Sequence, residues 1–203
     1  TSVILANAVS GFSRAFPGVG GMVSLVRAVV VISHITLDGV VQGPGGPEED
    51  VRDGFAHGGW IREYGDPVLR EELVGLMAKE FDLLLGRVTY DIWAPYWPTN
   101  PDGPIGGAFA RARKFVVSTT LAEGSWAETD VLRSVGEVRS LRASDGPELH
   151  LWGSGALFRS LMAEELVDEL RLWIYPLVLG SGRRLFGDGA PIELTLRESR
   201  TTS

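Results

Sequence analysis

The sequence predicts an α/β domain of three layers, α/β/α, around a mixed, mostly parallel sheet with an antiparallel C-terminal edge. Three observations predict it. Short apolar runs rich in β-branched residues alternate with helix-like stretches between residues 28 and 163. Three of those runs end in glycine or hydroxyl residues that open the next element. Beyond residue 168, strand-like segments follow one another with no helix between them.

Residues 28–33 (AVVVIS) read as a buried strand. Thr36-Leu37-Asp38-Gly39 is a turn signal, and residues 43–60 form a long glycine- and acid-rich loop of the kind that carries function. Asp66-Pro67 opens a helix: an N-cap, then proline at the first helical position. Leu69, Leu73, Leu76 and Met77 give that helix one apolar face. Residues 81–85 form a short strand that ends at Gly86, and residues 90–97 a short aromatic helix. Residues 98–107 read as a Pro/Gly loop, 109–113 as a helical turn and 114–118 as a strand. A helix over 135–143 precedes a strand over 148–152. The turn Gly153-Ser154-Gly155 then starts a helix that buries Leu157, Phe158, Leu161 and Met162. Residues 168–175 alternate, with Leu170, Leu172 and Ile174 on one face and Arg171, Trp173 and Tyr175 on the other. Residues 177–182 form a further glycine turn, and 193–197 a last short strand.

Composition narrows the function. The chain has 203 residues, 44% of them hydrophobic and 22% charged, as expected of a packed globular domain. A net charge of −7 argues against a general nucleic-acid binder. Cysteine is absent, which excludes disulfides and thiolate metal sites. The three histidines, His34, His57 and His150, are scattered, so no histidine-based metal site is expected. No apolar run is long enough to span a bilayer, and no G-x-S-x-G elbow supports hydrolase chemistry. A cytoplasmic protein with no membrane partner is expected. Residues 1–21 form an atypical N-terminal extension, and Met22 reads as the natural start of a single domain over 22–203.

The strand ends carry the candidate site. Gly153-Ser154-Gly155 lies between a strand and a helix, where free N–H groups and the positive end of the helix dipole favour a phosphate. Gly86-Arg87-Val88-Thr89 and Ser118-Thr119-Thr120 end two other strands. In a parallel sheet all three turns face one crevice beyond the strand ends. Any one of them reads more simply as an ordinary N-cap or turn; the three together favour a ligand with separated phosphates. No acidic residue closes the 114–118 strand, which leans to NADP over NAD. Asp38 is a candidate for orienting a substrate or relaying a proton, although an aspartate in such a turn more often only stabilises it. Trp93, Tyr96 and Trp97 either wall a pocket for a planar ring or pack in the core.

These segments in order resemble a known family. They are T-L-D-G at 36–39, L-L-G-R-V-T-Y at 84–90, V-V-S-T-T-L at 116–121, L-W-G-S-G-A-L at 151–157 and L-V-D-E-L-R-L-W-I-Y-P-L-V-L-G-S-G-R-R-L-F at 166–186. The chain resembles the dihydrofolate reductase-like group, and within it the reductase domain of the riboflavin-biosynthesis deaminase/reductase. The resemblance implies an NADPH-dependent reductase of a small heterocyclic or carbonyl substrate, pterin- or pyrimidine-like, and a homodimer. It places NADPH against Gly86, Arg87 and Thr89, against Ser118, Thr119 and Thr120, and against Gly153, Ser154, Gly155, Ala156 and Leu157. It places the substrate near Trp60, Trp93, Tyr96, Trp97 and Gly180, with Asp38 as the catalytic candidate. No counterpart of the folate-binding carboxylate is evident, because the 43–60 loop replaces that region. Alternatives are a nucleotide-binding protein without catalysis, and a tailoring enzyme on the same fold that no longer uses nicotinamide. Family members continue past the Ser-Arg-Thr-Thr segment into one more strand; residues 2–8 are expected to fill that edge position.

Overall fold

The computed structural model describes residues 4–10, 26–187 and 191–202. Eight strands form one sheet: β1 (Ile4–Ser10), β2 (Val29–Thr36), β3 (Phe81–Gly86), β4 (Lys114–Val117), β5 (Thr129–Leu132), β6 (Glu148–Trp152), β7 (Glu169–Tyr175) and β8 (Leu194–Thr201). Their order across the sheet is β5-β4-β3-β6-β2-β7-β1-β8. The ladders from β5 to β7 are parallel. Only β1 runs against its neighbours, pairing with β7 on one side and β8 on the other.

Five helices cover the two faces: α1 (Pro67–Met77), α2 (Arg87–Trp93), α3 (Gly103–Arg111), α4 (Val135–Arg142) and α5 (Gly155–Ala163). Strand residues alternate between two cores. Val30, Ile32, Leu83, Leu85 and Val116 pack with Met77 of α1, Tyr90 of α2 and Phe109 of α3. Val31, Leu84, Leu149 and Leu151 pack with Val138 of α4 and Phe158 and Leu161 of α5. The period-two alternation of the strands thus sets the three layers. None of the described helices is long and apolar enough to cross a membrane.

Local chemistry fixes the helix starts. Asp66 caps α1 by accepting the N–H groups of Val68 at 2.7 Å and Leu69 at 3.4 Å, with Pro67 behind it. Ser134 caps α4 by accepting the Glu137 N–H at 3.3 Å, while the Glu137 carboxylate reaches back to the Arg133 N–H.

Several elements differ from the sequence expectation. The helix expected to begin near residue 109 starts at Gly103, because Pro104 stands in its first turn and suits a helix start. The aromatic helix over 90–97 is α2 from Arg87 to Trp93, and Trp97 opens a separate 3₁₀ turn with Pro98. Strand β5 was not expected; its four residues are too few to show a period. The last strand, expected over 193–197, runs over Leu194–Thr201, four residues further. The strand expected for residues 2–8 is present over Ile4–Ser10, but it is not the edge. It lies between β7 and β8, so β8 is the edge strand.

Candidate active-site cleft

The parallel strands deliver their C-terminal ends to one side of the sheet, and a cleft of about 840 Å³ opens there. Neighbouring strands β3 and β6 supply its centre. Beyond β6, Gly153 has φ +59° and Ser154 φ +51°, a left-handed pair that swings the chain into α5. Ser154 Oγ accepts the Gly86 N–H at 2.9 Å and shares a hydrogen bond of 2.7 Å with Thr89 Oγ1. The two glycines are needed for space. A Cβ on Gly86 would stand 2.9 Å from Ser154 Oγ, and one on Gly153 would stand 3.2 Å from Thr89 Oγ1.

Gly155, Ala156 and Leu157 occupy the first turn of α5 and line the cleft. Their N–H groups lie before the first intrahelical donor, Phe158, which bonds to Ser154 O. A helix start with unsatisfied donors suits an anion. Gly86, Arg87, Thr89 and Trp93 line the same cleft. The Arg87 guanidinium is held by the Asp91 carboxylate at 2.8 Å and by Thr120 Oγ1 at 3.0 Å.

The 118–120 turn lies just outside. Ser118 Oγ accepts the N–H groups of Thr120 and Leu121, which makes it a turn cap, while Thr119 and Thr120 are exposed. Val117 reaches the cleft, and Arg87 links it to Thr120.

Asp38 is tied down through both of its carboxylate oxygens. Its Oδ1 accepts the Thr36 hydroxyl at 2.6 Å and the Leu179 N–H at 3.2 Å, and its Oδ2 accepts the Gly180 N–H at 2.9 Å. These bonds, the Thr36 hydroxyl foremost, hold its carboxyl below the usual range. Asp38 is therefore an ionised clamp between two turns, outside the cleft lining, and a poor proton donor. Gly180 is the other half of the clamp and is likewise outside the lining. Trp60 is buried behind the cleft, its indole N–H donating to Gln42 O at 2.8 Å and its ring edge-on to Tyr175. Tyr96 is exposed and packs on Trp97, which itself packs on Phe109. Of the aromatic cluster, Trp93 alone lines the cleft.

The structure adds residues that sequence reasoning missed. His34, on the same face of β2 as Val30 and Ile32, lines the cleft. Its Nδ1 lies 2.7 Å from the Tyr175 hydroxyl, and its ring stands edge-on to Trp173 at 4.5 Å. Burial pushes its pKa down to about 3, so the imidazole is neutral. The 43–60 loop contributes Glu49, Asp50 and Arg52. Glu49 accepts the N–H groups of Gly45 and Gly46, yet burial outweighs them and raises its pKa. Arg159, Arg183 and Arg184 also line the cleft. Arg159 Nη1 donates to Arg184 O at 3.0 Å, and Arg184 Nε donates to Asp38 O at 2.9 Å. The alternation of β2 was the available signal for His34; the loop acids and the late arginines had none.

The sheet, with glycine turns at the ends of its parallel strands and this cleft beyond them, has the fold of dihydrofolate reductase-like proteins. The fold is similar to a putative riboflavin biosynthesis protein from Shewanella sp. PV-4, with a TM-score of 0.58, 21% identity and coverage of 79% of this chain and 84% of that one. It is also similar to dihydrofolate reductase from Enterococcus faecalis, solved as a complex with NADP(H) and RAB-propyl, with a TM-score of 0.51, 14% identity and coverage of 79% and 77%. Residues 27–203 match the model of the RibD C-terminal domain, and the chain belongs to that family. It is similar as well to the uncharacterized protein YyaP of Bacillus subtilis (strain 168), 28% identical over 187 residues, 87% of this chain and 90% of that protein.

Proposed function

We infer that the chain is an NADPH-dependent reductase of a small heterocyclic or carbonyl substrate. One observation carries the reading. Two glycine turns on adjacent strands are tied together through Ser154 and sit among five arginines, Arg52, Arg87, Arg159, Arg183 and Arg184, on a chain of net charge −7. Cations gathered at one cleft of an acidic protein favour a polyanion there. The residues fit the cofactor. Gly86 and Gly153 let the two turns approach each other closely, since a Cβ on either would crowd Ser154 or Thr89. The start of α5 and Arg87 would hold its phosphates. Bound there, NADPH supplies a hydride.

The rest of the cleft would serve the substrate. Trp93 and the neutral His34 offer a flat, weakly polar surface. Glu49 is the group suited to donate a proton, because burial favours its protonated form. Asp38 supports the site from behind by fixing the turns that carry His34's strand end and Arg184.

The test is a titration of NADPH and NADH against the six tryptophans, followed by loss of NADPH absorbance with dihydropyrimidine, pterin and carbonyl substrates. Saturable NADPH binding with turnover is expected. Absence of NADPH binding refutes the reading, and binding without turnover on any substrate leaves only a nucleotide-binding protein.

A further inference from the structure

A second cavity, of about 370 Å³, lies away from the cleft, between α1 and the β7-β1-β8 end of the sheet. Its roof is one face of α1, where Glu72, Gly75 and Leu76 recur at helical spacing, with Lys79 just past the end of the helix. Gly75 is what leaves it open, since a Cβ there would meet nothing within 4 Å. Its floor follows from strand register. Leu5 pairs with Trp173 on one side and Arg200 on the other, and Asn7 pairs with Arg171 and Glu198. The floor is therefore one apolar patch beside a row of cation, amide and anion.

Two features point to an occupant. The Asn7 Oδ1 atom is buried and has no hydrogen-bond partner among the described residues. A buried acceptor left unpaired is costly, and a donor on a ligand would satisfy it. The charges are also not all paired within the wall. Arg200 is paired with Glu72 and Arg171 with Glu169, while Lys79, whose charge also acts on Glu148, and Glu198 make no ion pair among the described residues and are placed to face a ligand. A molecule with a cationic N–H donor meets Asn7 and Glu198, its carboxylate meets Lys79, and its apolar body rests on Leu5, Leu76 and Trp173.

We propose that this cavity is a second small-molecule site, and that it takes a zwitterion of the size of an α-amino acid with an apolar side chain. One contact links it to the cleft: the Trp173 indole that floors the cavity packs against His34, which lines the cleft, at 4.5 Å between ring centroids.

L-Leucine is the probe, titrated calorimetrically into the full chain. 4-Methylpentanoate lacks the ammonium and isoamylamine lacks the carboxylate. Saturable binding of leucine is expected, with both half-molecules weaker by ~10-fold or more. Gly75→Leu fills the cavity without meeting a neighbour at its Cβ, and Asn7→Leu removes the acceptor at similar volume. Each is expected to weaken leucine by ~10-fold or more while the thermal transition remains cooperative. Absence of saturable leucine binding overturns the proposal. So does unchanged affinity in whichever of the two variants folds, or binding of either half-molecule as tightly as leucine.

Discussion

Ser154 Oγ accepts the N–H of Gly86 at 2.9 Å, so one hydroxyl joins the turn after β6 to the turn after β3. The bond spans two neighbouring strands and fixes the spacing of the two turns. Ser154→Ala breaks it and strands the Gly86 donor and the Thr89 hydroxyl. A loss of about 1–3 kcal/mol in stability is expected from unsatisfied groups of this kind. NADPH affinity falls with it, as read by tryptophan fluorescence. Gly153→Val goes further, because a β-branched residue is strained at φ +59°. No measurable NADPH binding is expected from a variant that still melts cooperatively; full affinity would remove the turn from the cofactor site.

Asp38 titrates as a structural group. Its folded pKa lies below the unfolded value, so the stability it supplies is present at neutral pH and is lost as pH falls through the folded pKa. Asp38→Asn should lower the melting temperature at pH 7 and flatten the loss of stability as pH falls below the usual aspartate range. The pH profile of turnover should keep its shape, since Asp38 is not in the cleft. A shifted kinetic profile would return Asp38 to the chemistry.

Glu49 is expected to behave in the opposite way. Its pKa is raised, and a donor works only while protonated, so kcat should fall as pH rises through that pKa. Glu49→Gln should lower kcat by roughly 10²-fold or more and leave the Kd for NADPH unchanged. Equal loss of NADPH affinity would show that Glu49 only shapes the loop.

Lys114 gives a stability signature of its own. It is fully buried under Trp126, whose ring centre lies 4.7 Å from Nζ, and burial lowers its pKa to about 8 from 10.5. Between those values the unfolded chain binds more protons than the folded one, so stability rises with pH. Below them both states are protonated and the penalty is constant. Chemical denaturation from pH 8 to pH 10 should show the rise in the native protein and lose it in Lys114→Met. Identical slopes in the two proteins would contradict the burial of a charged amine.

Strand β1 is the bridge to the edge. Among the described residues it is the only strand paired with β8. Removing residues 1–10 should lower the melting temperature and abolish hydrogen-exchange protection over Leu194–Thr201, while Glu148–Trp152 stays protected. Retained protection over β8 would mean that it can pair directly with β7.

The sequence reading succeeded where a signal is local. The run AVVVIS, the Asp66-Pro67 helix start and the Gly153 turn each announce themselves within a few residues. The two faces of β7 were visible as an alternation, and they separate the Trp173 side from the Leu172 side as expected. What escaped depends on distant contacts. Nothing within T-D-V-L marks β5, which exists because Lys114–Val117 stands beside it. Nothing near Glu49 says that residue 49 shares a cleft with Arg159 and Arg184. Asp38 shows the limit in reverse. Its turn was legible, but its partners lie at Leu179 and Gly180, and they turn a candidate acid into a clamp.

The place of β1 carries a cost in time. It comes first among the described strands, yet Ile4 pairs with Ile174 and Thr201, far further along the chain. Until β7 emerges from synthesis, the segment ILANAVS lacks both of the strands it pairs with in the sheet. Closing so long a loop is slow, and an unpaired apolar strand that waits is open to wrong partners. The completion of this sheet is therefore the step at which a cell would need to shield the chain, and the step at which a mutation in β1 would lower yield before it lowered activity.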